Sequence, residues 1–223
     1  MIVAKRKPLA EIAANLQKVN KLLIVGCNTC VAVCLAGGEK EVAVLASALR
    51  LALRQTNPTI QITQRCVERQ CEEEFNEVLT EDVAACDVVL SMACGVGVQT
   101  MAEQFPDKIV YPALNTSFMG RPLERGVWSE RCAGCGNCVL DKFGGVCPIA
   151  RCSKNLLNGP CGGSANGKCE VDPENIDCAW QLIYDRLKRI GQLDRLLEIE
   201  PPKDWSTSRH GGPRKIVRED MVL

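Results

Sequence analysis

The feature that most constrains this chain is its cysteine content: 15 cysteines beside a single histidine in 223 residues. Because 15 is an odd number, the thiols cannot all pair as disulfides. The first residues are charged, and no apolar stretch of the kind found in a secretion signal follows them. We therefore expect a cytoplasmic protein whose thiols serve metal or redox chemistry, not a disulfide scaffold.

Composition excludes two further classes of protein. The chain carries 27 Lys and Arg against 27 Asp and Glu, a net charge of zero, whereas nucleic-acid-binding proteins are usually basic. The apolar stretch at residues 22–36 is too short to cross a membrane and is interrupted by Asn28 and Thr29. We expect no nucleic-acid partner and no membrane insertion. Hydrophobic residues make up 46% of the chain, enough for a real core.

Residues 1–126 alternate between strand and helix patterns. We predict strands at 22–26, 59–63, 87–93 and 108–113, and helices at 9–19, 39–54, 72–79, 81–85 and 97–104. Such alternation is typical of an α/β fold, here a Rossmann-like domain built on a parallel sheet. The glycine motifs G-x-G-x-x-G and GxxxxGK are absent, which argues against nucleotide binding.

The density of cysteines changes near residues 126–131, and this change predicts a second domain at 127–200. Residues 132–169 are rich in Gly, Cys and Asn and lack periodicity, so a bound metal rather than a core should order them. An amphipathic helix follows at 178–199, and Gly191 can split it. Residues 201–223 form a polar tail that we expect to be extended and mobile or docked on a partner.

Five cysteines follow the predicted strands directly: Cys27, Cys30, Cys34, Cys71 and Cys94. In a parallel sheet they would meet at the carboxyl edge, where α/β folds build their sites. A [4Fe–4S] cluster needs four thiolates, so the five are candidates for four places. Cys34 is the least favoured, since a buried free cysteine often fills a core. Cys66 and Cys86 lack ligand spacing, and we expect both to be structural.

A second constellation begins with Cys132, Cys135 and Cys138, a C-x₂-C-x₂-C run. This run is the core of the bacterial ferredoxin pattern, whose last cysteine precedes proline, as Cys147 does here after a longer spacer. It predicts a [4Fe–4S] cluster, with structural zinc as the alternative because Cys₄ zinc sites also use C-x₂-C hooks. Further thiols can supply a fourth ligand or a separate zinc site: Cys152, Cys161 and Cys169 are candidate ligands, together with Cys178.

Residues 151–171, followed by Cys178-Ala-Trp180 and the amphipathic helix, resemble the methylenetetrahydrofolate reductase C-terminal domain family. Upstream, four segments resemble the amino-terminal part of the small reductase subunit that carries this domain: residues 26–30, 37–42, 69–71 and 93–99. The resemblance covers roughly residues 15–200. This subunit is the iron–sulfur partner of a flavin-containing reductase in acetogenic and related anaerobes. The resemblance implies electron transfer into 5,10-methylenetetrahydrofolate reduction in the Wood–Ljungdahl pathway.

The family's catalytic subunit is a TIM barrel that carries FMN and binds the folate. This chain lacks an eightfold βα pattern, so we expect both ligands on the partner subunit only. The sequence shows no combination of a nucleophile, a general base and a residue that orients the base. We therefore expect this chain to have no catalytic residue of its own. The predicted function is to relay electrons from ferredoxin or a similar donor, through one or two [4Fe–4S] clusters, to the partner's flavin, which produces 5-methyltetrahydrofolate. The alternatives are a non-redox zinc scaffold of the same reductase and an independent nucleotide-binding enzyme.

Overall fold

A four-stranded parallel sheet organises the first part of the chain in this computed structural model, which describes residues 1–218 and 220. The strand order is β3-β2-β4-β5. The strands are β2 (Lys21–Cys27), β3 (Gln61–Val67), β4 (Val88–Met92) and β5 (Ile109–Pro112). The predicted parallel sheet is confirmed, with β3 beginning two residues later than expected and extending four residues further.

Both faces of this sheet are covered by helices. Along β2, Leu22 and Ile24 belong to one hydrophobic core while Leu23 and Val25 belong to another. The first core includes residues of α1 (Leu9–Ala14) and α3 (Glu39–Ala52), and the second includes residues of α5 (Thr80–Ala85) and α6 (Gly95–Gln104). A strand buried on both faces reads as a continuous apolar run, which is why β2 could be predicted.

The helices differ from the prediction mainly at their ends. The first was expected to continue to residue 19, but α1 stops at Ala14. The buried Asn57 side chain donates hydrogen bonds to the carbonyls of Leu16 (3.1 Å) and Val19 (2.7 Å), so these groups are bonded to a remote residue instead of extending the helix. The predicted break between 72 and 85 is present: α4 (Glu73–Asn76) leads into a 3₁₀ turn (Glu77–Leu79) and then α5.

A second, three-stranded sheet was not predicted. Its order is β1-β6-β7, formed by β1 (Ile2–Arg6), β6 (Leu114–Glu124) and β7 (Val127–Cys132), with β1 antiparallel to β6. Most of β6 is exposed and the strand contains Gly120 and Pro122, so it shows no apolar alternation. A short helix, α2 (Cys30–Val33), was also missed. No helix within residues 1–218 and 220 is both long and apolar enough to cross a membrane.

The chain divides into two compact units, residues 1–129 and 130–223. The second contains α7 (Pro148–Arg151), an antiparallel pair formed by β8 (Lys168–Cys169) and β9 (Asp172–Asp177), and α8 (Ala179–Arg189). Its hydrophobic core is small; the buried members are Phe143, Cys178, Trp180, Ile183 and Leu187. This confirms that the cysteine-rich region has little core of its own.

The end of the chain is more structured than its composition predicts. The amphipathic helix is split as expected: α8 ends at Arg189, Gly191 adopts a φ of 68°, and a 3₁₀ turn follows at Leu193–Leu197. The polar tail is not simply extended, because it contains two further 3₁₀ turns, Trp205–Thr207 and Arg209–Gly211. The part of the predicted tail at residues 219 and 221–223 lies outside the described residues.

Candidate metal centres

Three cysteines lie at the carboxyl edge of the parallel sheet. Cys27 is the last residue of β2, Cys71 follows β3, and Cys94 is the N-cap of α6 just after β4. The strands end at the same level, because Cys27 pairs with Val67 on β3 and Gly26 pairs with Met92 on β4. The structure therefore brings cysteines from three remote parts of the sequence to one edge.

The thiols at this edge influence one another electrostatically. Burial raises the pKa of Cys71, and the neighbouring Cys27 and Cys94 raise it further because their thiolates would repel its negative charge. A cation bound at this edge would offset the repulsion and favour the Cys71 thiolate, which is the state that binds metal.

Cys30 and Cys34 flank the short helix α2 and have different surroundings. Cys30 begins α2 and is partly exposed, whereas Cys34 is buried against β1. The Ala4 amide donates to the Cys34 sulfur at 3.4 Å, and the thiol lies 3.5 Å from the Val31 carbonyl oxygen that can accept its proton. Burial raises the pKa of Cys34. These contacts favour the core-filling alternative for Cys34.

The two cysteines without ligand spacing pack against core residues, Cys86 buried and Cys66 partly buried. Cys86 is buried and its sulfur donates to the Val83 carbonyl at 3.4 Å. Cys66 packs against the core on one face of β2. A Cβ on Gly26 would lie only 2.3 Å from the Cys66 sulfur, so the strand that leads to Cys27 requires glycine at this position.

A buried polar network fixes the edge, and the sequence analysis missed it. Gln70, Asn76 and Ser91 have no exposed surface. The Gln70 amide donates to the Val25 carbonyl at 2.8 Å, and the Asn76 amide donates to the Gln70 carbonyl at 3.1 Å. The only signal was Ser91, a polar residue inside an apolar strand pattern. These bonds hold the loop that carries Cys71 against β2.

In the second unit, the C-x₂-C-x₂-C run forms a tight loop after β7, which we call the triple-cysteine loop (residues 132–138). Its glycines have left-handed backbones, with φ of 62° at Gly134 and 83° at Gly136. The Gly134 amide donates to the Cys132 sulfur at 3.4 Å. Amide hydrogen bonds to sulfur are a recurrent means of tuning iron–sulfur clusters. Cys135 is partly exposed, while Cys132 and Cys138 are exposed.

Cys147 has the position expected from the ferredoxin pattern, directly before a proline. It is the N-cap of α7, and its sulfur accepts a hydrogen bond from the Ala150 amide at 3.4 Å. Its side chain is partly exposed.

Four further cysteines line one small cavity of about 20 Å³: Cys152, Cys161, Cys169 and Cys178. We call this cavity, with the four cysteines that line it, the thiol cavity. Hydrogen bonding to the Ser153 hydroxyl, 3.5 Å away, lowers the pKa of Cys169. Cys178 is buried and caps α8, so the start of this helix positions a thiol at the cavity. A cavity of this volume accommodates about one water-sized species.

The donor chemistry of these sets fits thiolate-bound metal. All 15 cysteines are free. Thiolates are the ligands of iron–sulfur clusters and a common choice for zinc. Within residues 1–218 and 220, no three Cys, His, Asp or Glu side chains are close enough together to hold an ion as they stand. Binding of a metal would therefore require the thiols to turn toward a common point, which would couple binding to local ordering.

The other sequence candidates behave as ordinary structural residues. His210 is exposed and packs edge-on against Trp205, with ring centroids 5.6 Å apart. Trp180 is a core residue whose indole N–H donates to the Leu156 carbonyl at 3.2 Å.

Comparison with known proteins gives one match. Neither the curated proteins nor the solved structures contain a match to the chain. A protein-family model, by contrast, covers β6, β7, the triple-cysteine loop, the thiol cavity and α8. This confirms the predicted resemblance over the second part of the chain. Residues 111–206 match the family described as methylene-tetrahydrofolate reductase C terminal.

Proposed function

We propose that the chain is an iron–sulfur electron-transfer subunit of a methylenetetrahydrofolate reductase. It receives electrons from ferredoxin or a similar donor and passes them to the flavin of a partner catalytic subunit. The observation that carries the proposal is that the triple-cysteine loop, with its left-handed glycines, lies inside the segment that matches the reductase family. Supplying electrons to a reductase is the function that best explains a thiol-rich loop in that segment.

We assign two ligand sets for [4Fe–4S] clusters. One is the edge set, Cys27, Cys30, Cys71 and Cys94; the other is Cys132, Cys135 and Cys138 with Cys147. A cluster supplies reversible one-electron transfer when it is bound. The protein orients the thiols: the polar network fixes the backbone at the edge, and the amides of Gly134 and Ala150 donate to sulfurs in the second set. Such hydrogen bonds stabilise thiolates and favour cluster reduction.

The thiol cavity is assigned to a single ion. Its volume of about 20 Å³ suits one ion better than a four-iron cube. Four thiols around one ion are typical of structural zinc. Zinc there would join α7, the β8–β9 hairpin and the start of α8, a part of the chain with little hydrophobic core.

In this account the chain has no catalytic residue. FMN and folate belong to the TIM-barrel partner, whose flavin combines single electrons into a hydride. The reduction of 5,10-methylene- to 5-methyltetrahydrofolate therefore requires both subunits.

A second function has a specific observation in its favour: a non-redox scaffold that holds only zinc. The thiol cavity is the feature that supports it. The two functions differ in whether the triple-cysteine loop binds a cluster that transfers electrons.

The test is ferredoxin-dependent flavin reduction in the complex of this chain with its flavin-containing partner. The change Cys135→Ser should abolish that reduction and leave dye-linked activity of the partner intact. The matched control is Cys86→Ala, which alters a buried thiol away from the ligand sets and should behave as the wild type. Unchanged flavin reduction in Cys135→Ser would show that this loop is not on the electron route.

A further inference from the structure

The C-terminal segment lies on the triple-cysteine loop. Three side chains donate hydrogen bonds to its backbone: Lys203 Nζ to the Asn137 carbonyl (2.9 Å), Thr207 Oγ1 to the Cys135 carbonyl (3.0 Å) and Arg214 Nη1 to the Gly134 carbonyl (2.9 Å). We propose that residues 203–214 are a strap that restrains the backbone of this loop and raises the reduction potential of the cluster it binds. This inference rests on the proposed function.

The fit between strap and loop is close enough to require glycine. Gly136 has a φ of 83°, and a Cβ there would lie 2.2 Å from the Thr207 carbonyl oxygen. The backbones of the two segments are therefore in direct contact, and a larger residue at position 136 must displace the strap.

The strap has its own internal order. The Asp204 carboxylate accepts from the Ser206 amide at 2.9 Å, and the buried Ser208 hydroxyl accepts from the His210 amide at 3.1 Å. Arg214 also donates to the Thr207 carbonyl at 2.8 Å, which ties the end of the strap back to its middle. An ordered segment can position its donors on the loop at a lower entropic cost than a disordered tail.

The three contacts have a common chemical effect on the loop. Each bonded carbonyl belongs to a residue between Cys132 and Cys138, so the strap restrains the loop backbone at three positions. The Asn137 carbonyl also lies 3.9 Å from the Cys135 sulfur, and the Lys203 ammonium that bonds this oxygen would offset its repulsion of a Cys135 thiolate. A loop whose backbone is already restrained loses less conformational entropy when its thiols bind a metal.

Two of the three donors are cations, Lys203 and Arg214. Reduction adds an electron to a cluster that already carries thiolate charge. Positive charge beside the ligand loop stabilises the reduced form more than the oxidised form, so it raises the reduction potential. This effect depends on charge, whereas the positioning effect depends on hydrogen bonding, and variants can separate the two.

The positioning effect is tested by iron release from the full chain, purified anaerobically with its clusters, to an iron chelator. Gly136→Ala and Thr207→Val should release iron from this site about 10-fold faster, the size of effect seen when groups supporting metal ligands are removed. The matched control is Gly126→Ala, where φ is 86° but nothing lies within 4 Å of the new Cβ. The control should release iron at the wild-type rate.

The charge effect is tested by redox titration of the same cluster. Arg214→Gln and Lys203→Gln should lower the midpoint potential, while Arg214→Lys and Lys203→Arg should keep it near the wild-type value. If all of these variants release iron at the wild-type rate and have the wild-type midpoint potential, the proposed role of the strap is wrong, while the proposed function stands. A wild-type chain without iron would instead overturn the proposed function, and the strap's redox role with it.

Discussion

Ser91 Oγ donates a 2.6 Å hydrogen bond to Gln70 Oε1, and neither side chain has any exposed surface. The bond joins β4 to the residue before Cys71. The same Gln70 amide reaches the Val25 carbonyl on β2, and Ser91 Oγ accepts from the Ala93 amide at 3.3 Å. One network therefore fixes the backbone on all three sides of the edge where the first cysteines meet. Buried hydrogen bonds of this kind restrain the backbone groups that they join.

The change Gln70→Leu should destabilise the protein by about 3 kcal/mol, because it removes the acceptor of the buried Ser91 hydroxyl and the side-chain donor to the buried Val25 carbonyl. Urea denaturation under anaerobic conditions measures this loss. The control Ser47→Ala removes an exposed hydroxyl that bonds the Ala43 carbonyl, and it should change stability by less than about 0.5 kcal/mol. A Gln70→Leu protein as stable as the control would show that the network does not hold the edge.

Cys34 and Cys94 should respond differently to removal of the thiol. Cys34→Ala should keep the full iron content and lose about 1 kcal/mol of stability, since its sulfur packs and bonds against β1. Cys94→Ala should lose the iron of one cluster. Metal analysis of both variants decides whether Cys34 is a core residue or a cluster ligand. Equal loss of iron from the two variants would make Cys34 a ligand.

The thiol cavity predicts metal binding that is independent of the clusters. Cys178→Ser and Cys161→Ser should each lower the zinc content without changing iron or acid-labile sulfide. Cys66→Ala, which alters a core thiol on the sheet, should leave zinc at the wild-type level. If iron is lost instead of zinc from the first two variants, the cavity belongs to a cluster.

Asp87 predicts a pH-dependent contribution to stability. Its carboxylate accepts from the amides of Lys21 (2.8 Å) and Asn20 (2.9 Å), and these bonds hold the pKa of Asp87 below its usual value. A lowered folded-state pKa means that the stabilisation is complete above the unfolded-state pKa and is lost as pH falls through the folded-state pKa.

Urea denaturation of the wild type and Asp87→Asn across a pH series tests this contribution. The variant should be the less stable protein at neutral pH, and the difference should shrink as the pH falls below the usual Asp pKa of about 3.9 and through the lower folded-state pKa. A difference that is constant over the whole series would mean that the carboxylate charge contributes nothing.

The sequence predicted those parts of the fold that local patterns determine. The run Leu22–Val25 indicated a strand buried on both faces, and its place in an alternating pattern indicated the parallel sheet. That sheet then placed Cys27, Cys71 and Cys94 at one edge. The strand β6 gave no such signal, because most of its side chains are exposed.

The remaining features depend on contacts between remote residues. Gln70 and Asn57 lie among polar residues, as surface side chains usually do. Only the tertiary structure shows that their side-chain amides donate to backbone carbonyls in the interior. The tail appeared polar and mobile because its partners lie on a loop some seventy positions earlier. Cys178 likewise lines the thiol cavity because of where α8 begins in the folded chain.

The most direct test of the central claim is iron, sulfide and zinc analysis combined with EPR spectroscopy on the anaerobically purified, reduced chain. We predict a brown protein with iron and acid-labile sulfide in about equal amounts, as [4Fe–4S] clusters contain. An EPR signal should appear on reduction, and part of it should be missing in Cys135→Ser. A colourless protein that contains zinc alone and gives no EPR signal would contradict the account.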